Sequence, residues 1–87
     1  MLYRDFEGFC VREYFTSTTV RDVYTLFGEC VTEGDLHMVC GCHTLAQALL
    51  RANERIQCGY DCEIWTCDRY LNERDMLLDR NECKDLV

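Results

Sequence analysis

A small α+β domain is the fold class the sequence predicts, and three observations predict it. The chain has 87 residues, room for one compact domain over 1–87 with a single modest core. Three segments carry the alternation and the aromatic or β-branched content of strands. Two others place apolar residues at helical spacing behind side chains that cap helices. The expectation is an antiparallel sheet of about three strands with two or three helices. No proline, no glycine/serine-rich or low-complexity stretch and no internal repeat divides the chain.

The first strand is predicted near residues 9–15, where Phe9, Val11 and Phe15 alternate and Glu13 interrupts their face. Thr16-Ser17-Thr18-Thr19 supplies hydroxyl caps, and Val20, Val23, Tyr24 and Phe27 recur at helical spacing before Gly28, which sets a helix over 19–28. A second strand follows near 36–41, with Leu36, Met38 and Cys40 sharing one face. Thr44-Leu45-Ala46-Gln47 is a capping box in which the two polar side chains satisfy each other's free backbone donors, so a helix over 44–57 begins there. Leu45, Ala48, Leu49, Ala52 and Ile56 form its apolar stripe, with Arg51 and Arg55 placed on the solvent side. The third strand, near 62–70, sets Ile64 and Trp65 on opposite faces and so predicts cover on both. Residues 72–87 admit two readings: a helix capped at Asn72-Glu73-Arg74-Asp75, or a hairpin strand returning through Met76-Leu77-Leu78. The length of the segment and its lack of glycine favour the helix.

Composition bounds the partners. Sixteen acidic side chains against nine basic ones give a net charge of −7, which opposes direct binding to nucleic acid or to an anionic membrane. Apolar runs of only a few residues exclude a spanning helix. The acidity is segmental. Residues 1–35 sum to −4, residues 36–60 to +1 and residues 61–87 to −4, so acidic flanks surround a nearly neutral centre. The acids singled out are Glu29, Glu33 and Asp35, then Asp61, Glu63 and Asp68, then Glu73, Asp75, Asp79, Glu82 and Asp85. Spaced carboxylates of this kind dock onto basic grooves, including grooves that otherwise receive phosphates. Tyr3, Phe6, Tyr14, Trp65 and Tyr70 exceed what so small a core must hold and are candidate interface anchors. Eight of the nine bases are arginine, whose planar fork suits carboxylate pairing.

Eight cysteines in 87 residues raise the question of compartment. Met1-Leu2-Tyr3-Arg4-Asp5-Phe6-Glu7 lacks the basic and apolar regions of a secretory signal, which points to the cytoplasm and to reduced, packed thiols. Zinc is the one cofactor the cysteines suggest, with Cys40, Cys42, His43, Cys58 and Cys62 as ligand candidates. Cys58-x3-Cys62 has ordinary ligand spacing, Cys40-x-Cys42 is tighter than usual, and no Cys-x2-Cys occurs. Eight cysteines also admit disulfides in 105 connectivities. For thiol chemistry the nearest approach is Cys42-His43 ahead of the helix at Thr44, where the helix end favours a thiolate. His37 reads as a strand-edge histidine. Phosphate loops, nucleophile elbows and metalloprotease helices are missing, so a non-enzymatic role is expected.

Thr44-Leu45-Ala46-Gln47-Ala48-Leu49-Leu50 leading into Cys62-Glu63-Ile64-Trp65 is a helix-to-strand unit covering about a quarter of the chain. With the acidity and the size, it resembles the small phage-encoded inhibitors, anti-CRISPR proteins among them, that disable host nucleic-acid machinery by binding it. The resemblance implies a cytoplasmic inhibitor of a basic, nucleic-acid-binding protein complex, acting by occupying its binding surface. It transfers no residue role, because it includes no family motif.

Overall fold

A computed structural model of the chain describes residues 8–86. Its elements run β1 (Gly8–Tyr14), α1 (Ser17–Phe27), β2 (Leu36–Cys42), α2 (Leu45–Gln57), β3 (Asp61–Cys67), β4 (Glu73–Leu78) and α3 (Arg80–Lys84). The four strands form one antiparallel sheet in the order β2-β1-β3-β4. The α+β class is as the sequence predicts, with one strand more. That strand corrects the reading of the tail. Residues 73–78 return as a hairpin strand, and the helix is confined to Arg80–Lys84 behind a capping box made by Asp79 and Glu82.

Opposed residues in antiparallel strands share a face, and the register therefore sorts the side chains. Val11 opposes Cys40 and Ile64, and Glu13 opposes Cys62. On that face α2 and α3 pack, and Val11, Cys42, Cys62, Ile64, Ala48, Ala52 and Cys83 form the core. Ala48 and Ala52 are fully buried because only small residues let the α2 backbone lie close on the sheet. Fully burying a side chain such as Ile64 contributes about 1.5–3 kcal/mol. The opposite face carries Cys10, Arg12 and Tyr14 from β1 with Glu63, Trp65 and Cys67 from β3. No helix among the described residues packs on it. The β3–β4 turn reaches over part of it, where Leu71 adopts φ 66 and lies over Gly41, so close that a Cβ there would stand 2.7 Å from Leu71 Cδ2.

Two boundaries move for physical reasons. β3 ends at Cys67 rather than near residue 70, because Asp68 Oδ1 accepts from the Tyr70 and Asn72 N–H groups and folds the chain into the turn. At β2 the register shifts between Glu13 and Tyr14: Met38 opposes Glu13 and Leu36 opposes Tyr14, which leaves His37 as the extra residue of a bulge. Leu36 therefore does not continue the row of Met38 and Cys40. The two predicted caps are present. Thr16 and Thr19 box the start of α1, Thr44 and Gln47 that of α2, and Gly28 ends α1 in the left-handed conformation at φ 71.

α1 buries only Thr19 and makes no substantial packing with any other helix or strand. It is fastened at its first turn, where Thr16 Oγ1 donates to the Gly59 carbonyl and the Thr19 side chain lies against Gly59. The segment 28–35 leads back to β2, held by Gly34 N–H to Phe15 O at 2.8 Å and Phe15 N–H to Asp35 O at 3.0 Å. Residues 17–35 thus form an arm on the sheet body.

Candidate functional site

The body of the molecule pairs several of its acids with its own bases. Glu13, predicted only as an interruption of an apolar face, has a side chain 2 % exposed on the core side of the sheet. Arg55 grips it through Nε and Nη2, and His37 Nδ1 donates to its Oε2 at 2.7 Å. Arg55 is thereby corrected from a solvent-facing position: it turns from α2 onto the sheet, and the hydrogen bonds it donates to Glu13 raise its pKa. Around this carboxylate His37 stacks on Tyr60 at 5.0 Å and 10°, meets Phe15 at 4.7 Å, and the Arg55 guanidinium lies 4.9 Å over the Tyr60 ring. The His37 bulge is what brings the ring to Glu13. Because Phe15 also bonds Gly34 and Asp35, this cluster is the root from which the arm projects.

A second network occupies the other face. Glu63 accepts from Tyr14 Oη at 2.8 Å, from Trp65 Nε1 at 2.9 Å and from Arg80 Nε at 3.2 Å. Burial works to raise the Glu63 pKa, and these three donors outweigh it, so the carboxyl sits below its ordinary range. Arg12 donates to Tyr14 Oη and pairs with Glu73 at 2.9 Å, while Arg80 lies 3.9 Å over the Tyr14 ring. Tyr14 is therefore corrected from a spare surface aromatic to a buried one, with its pKa raised chiefly by desolvation. Trp65 is half-buried with its indole N–H committed to Glu63, whereas Tyr70 is 69 % exposed in the β3–β4 turn. Tyr3 and Phe6 lie outside the described residues.

The structure divides the predicted partner-binding acids accordingly. Glu63 and Glu73 belong to the network above, and Asp61 pairs with Lys84 at 3.2 Å. Asp68 holds the β3–β4 turn and Asp79 caps α3, so each has a local backbone role. Asp75 is exposed on β4. Glu29, Glu33 and Asp35 are exposed on the arm, with no ion pair among the described residues. The arm holds Asp22 as a fourth acid and Arg21 as its single base, a net charge of −3 on residues 17–35. It also exposes Tyr24 by 59 %, Leu26 by 73 % and Phe27 by 70 %. Helical spacing announced the apolar stripe; nothing local announced that the sheet would leave it open.

The cysteines are free thiols, five of them buried. Desolvation pushes Cys10 and Cys62 up to about 12 and Cys83 up to about 11, and raises Cys42, which removes the thiolate character a nucleophile needs. The zinc candidates do not fit one site. Cys42 and His43 stand just before α2 and Cys58 at its end, and a helix of 13 residues separates its ends by about 20 Å; Cys40 and Cys62 lie on strands separated by β1. No group of three or more His, Cys, Asp or Glu side chains among the described residues is placed to hold a metal ion. No helix among them is long and apolar enough to cross a membrane. The chain matches no family model, no curated protein and no solved structure.

Proposed function

We propose that this protein is a cytoplasmic, non-enzymatic docking module whose acidic arm binds a basic protein partner, a nucleic-acid-binding complex, and inhibits it by occupying its binding surface. One observation carries the reading: the body pairs Glu13, Glu63, Glu73 and Asp61 with its own bases, while the arm carries four acids with no ion pair among the described residues and three exposed large apolar side chains. A groove with an apolar floor and a Lys/Arg rim complements such a helix, the aromatic residues anchoring it and the acids steering it. The protein itself makes no contact with nucleic acid, since its net charge of −7 repels phosphate.

The test is a pulldown with the tagged protein against purified nucleic-acid-binding complexes at two salt concentrations, repeated with a Tyr24→Ser/Phe27→Ser variant. Binding that weakens as salt rises and drops about 30-fold or more on loss of the two anchors is expected, a hot-spot pair being worth at least about 2 kcal/mol. Binding indifferent to both changes, or no binding to any complex, overturns the proposal.

A further inference from the structure

The two edges of the sheet are built differently. β4 carries Glu73, Arg74 and Asp75 in its first half, and its register against β3 shifts twice. Charges and irregular pairing on an edge are what prevent another strand from adding to it. β2 has neither device from Met38 to Cys42. The segment Met38-Val39-Cys40-Gly41-Cys42 is uncharged, regularly paired with β1 on one side, and outermost in the sheet on the other. The bulge at His37 lies beyond its end. Met38 is 40 % exposed at one end of this stretch, and Leu45, the first residue of α2 just past Cys42 at the other end, is 41 % exposed.

We propose that the β2 edge is a self-association site at which two copies of the chain pair β2 antiparallel about a two-fold axis, making one eight-stranded sheet. Charge selects a second copy as the occupant. Each molecule carries −7, and a symmetric contact must bring identical surfaces together. Segment 36–60 holds only Arg51, Glu54 and Arg55 as charges, with Arg51 paired to Glu54 and Arg55 to Glu13, so this edge is nearly neutral between flanks of −4 and is where two such molecules meet with least repulsion. The free stretch of five residues also sets the register. Full overlap places Cys40 on the axis, with Met38 opposite Cys42 of the second copy. Directly opposed Cα atoms in antiparallel strands lie about 4.5–5.5 Å apart, which is within disulfide reach.

That register supplies the test. Sedimentation equilibrium of the whole protein in excess reductant is expected to show a species of twice 10.3 kDa whose share grows with salt, because salt screens the repulsion between the acidic bodies. Brief oxidation by copper(II)–phenanthroline and dissolved oxygen, each pair of thiols losing two electrons and two protons, is expected to trap a disulfide-linked dimer. The dimer persists in a Cys30→Ser/Cys58→Ser variant and is lost in Cys40→Ser. Cys40→Lys, which sets two ammonium groups face to face, is expected to yield monomer with an unchanged circular dichroism spectrum. A wild-type protein that stays monomeric up to about 1 mM overturns the proposal, as does a cross-link that survives Cys40→Ser. Self-association strengthened by salt is opposite in sign to the arm's docking, so either reading can fail alone.

Discussion

Replacing Arg55 by methionine tests whether the buried carboxylate at the root of the arm depends on its guanidinium partner. The Glu13 side chain is 2 % exposed and that of Arg55 23 %, so solvent screens the pair little. Breaking a buried pair by removing one member costs about 3–5 kcal/mol, because the surviving charge keeps its desolvation penalty. His37 still donates to Glu13 in the variant, which places the expected loss at the lower end, about 3 kcal/mol. For a domain of this size that corresponds to a fall in Tm of roughly 12–24 °C. The assay is equilibrium urea unfolding in reductant, followed by the fluorescence of Trp65, the one tryptophan. Adding Glu13→Leu to Arg55→Met removes the orphaned charge, and the double variant is expected to recover at least about 1.5 kcal/mol of the loss. An Arg55→Met protein within about 0.5 kcal/mol of wild type, or a double variant no more stable than the single one, refutes the reasoning.

Three further outcomes follow from the geometry. The Glu63 carboxyl is held below its ordinary range, so its stabilisation is present above the unfolded value of about 4.3 and is lost as pH falls through the folded value. Acid titrations should therefore show Arg80→Met unfolding at higher pH than wild type, and coincident curves would remove Arg80 from that role. The buried thiols act at the other end: with Cys10 and Cys62 raised to about 12, stability should be flat below about pH 8.5 and fall from there toward pH 12 as the unfolded chain ionises first. Cys62→Ala should flatten that alkaline slope, and an unchanged slope counts against burial as its origin. Thr16→Ala removes the α1 cap and its bond to Gly59, and should cost about 1 kcal/mol in urea unfolding; a change under about 0.3 kcal/mol would show that the arm's first turn is not held there.

Much of the frame was legible because its signals are local. The Thr44/Gln47 box, the Gly28 stop and the alternation of Phe9 and Val11 each act within a few residues, and each appears where the spacing put it. The tail was misread because Asn72 to Asp75 has the composition of a cap. The box that does cap a helix, Asp79 and Glu82, stands a few residues later in the same acidic stretch. The site was less legible, since its partners are remote. Glu13 meets Arg55 and His37 at separations of 42 and 24 residues, and Arg12 meets Glu73 at 61. One signal was available: a carboxylate on the apolar face of a predicted strand has to find a cation, and Arg55 lies one turn beyond Arg51 on the second predicted helix.

Those remote pairs change what the acidity means. Read along the chain, the two flanks are equal at −4. In the fold they are not equal. The C-terminal flank spends Asp61, Glu63 and Glu73 on Lys84, Arg80 and Arg12, and uses Asp68 and Asp79 to shape backbone. Glu63 in particular cannot turn to a partner without leaving the part-buried Tyr14 and Trp65 donors without their acceptor, a cost of about 1–3 kcal/mol for each. The arm bears no such obligation. Among the described residues its acids have no cation to abandon and its helix packs on no other helix or strand, and Tyr24 and Phe27 are already in solvent. Binding there releases surface without breaking structure. That is why the proposed partner-binding surface is placed on residues 17–35 and not on the longer run of acids toward the C-terminus.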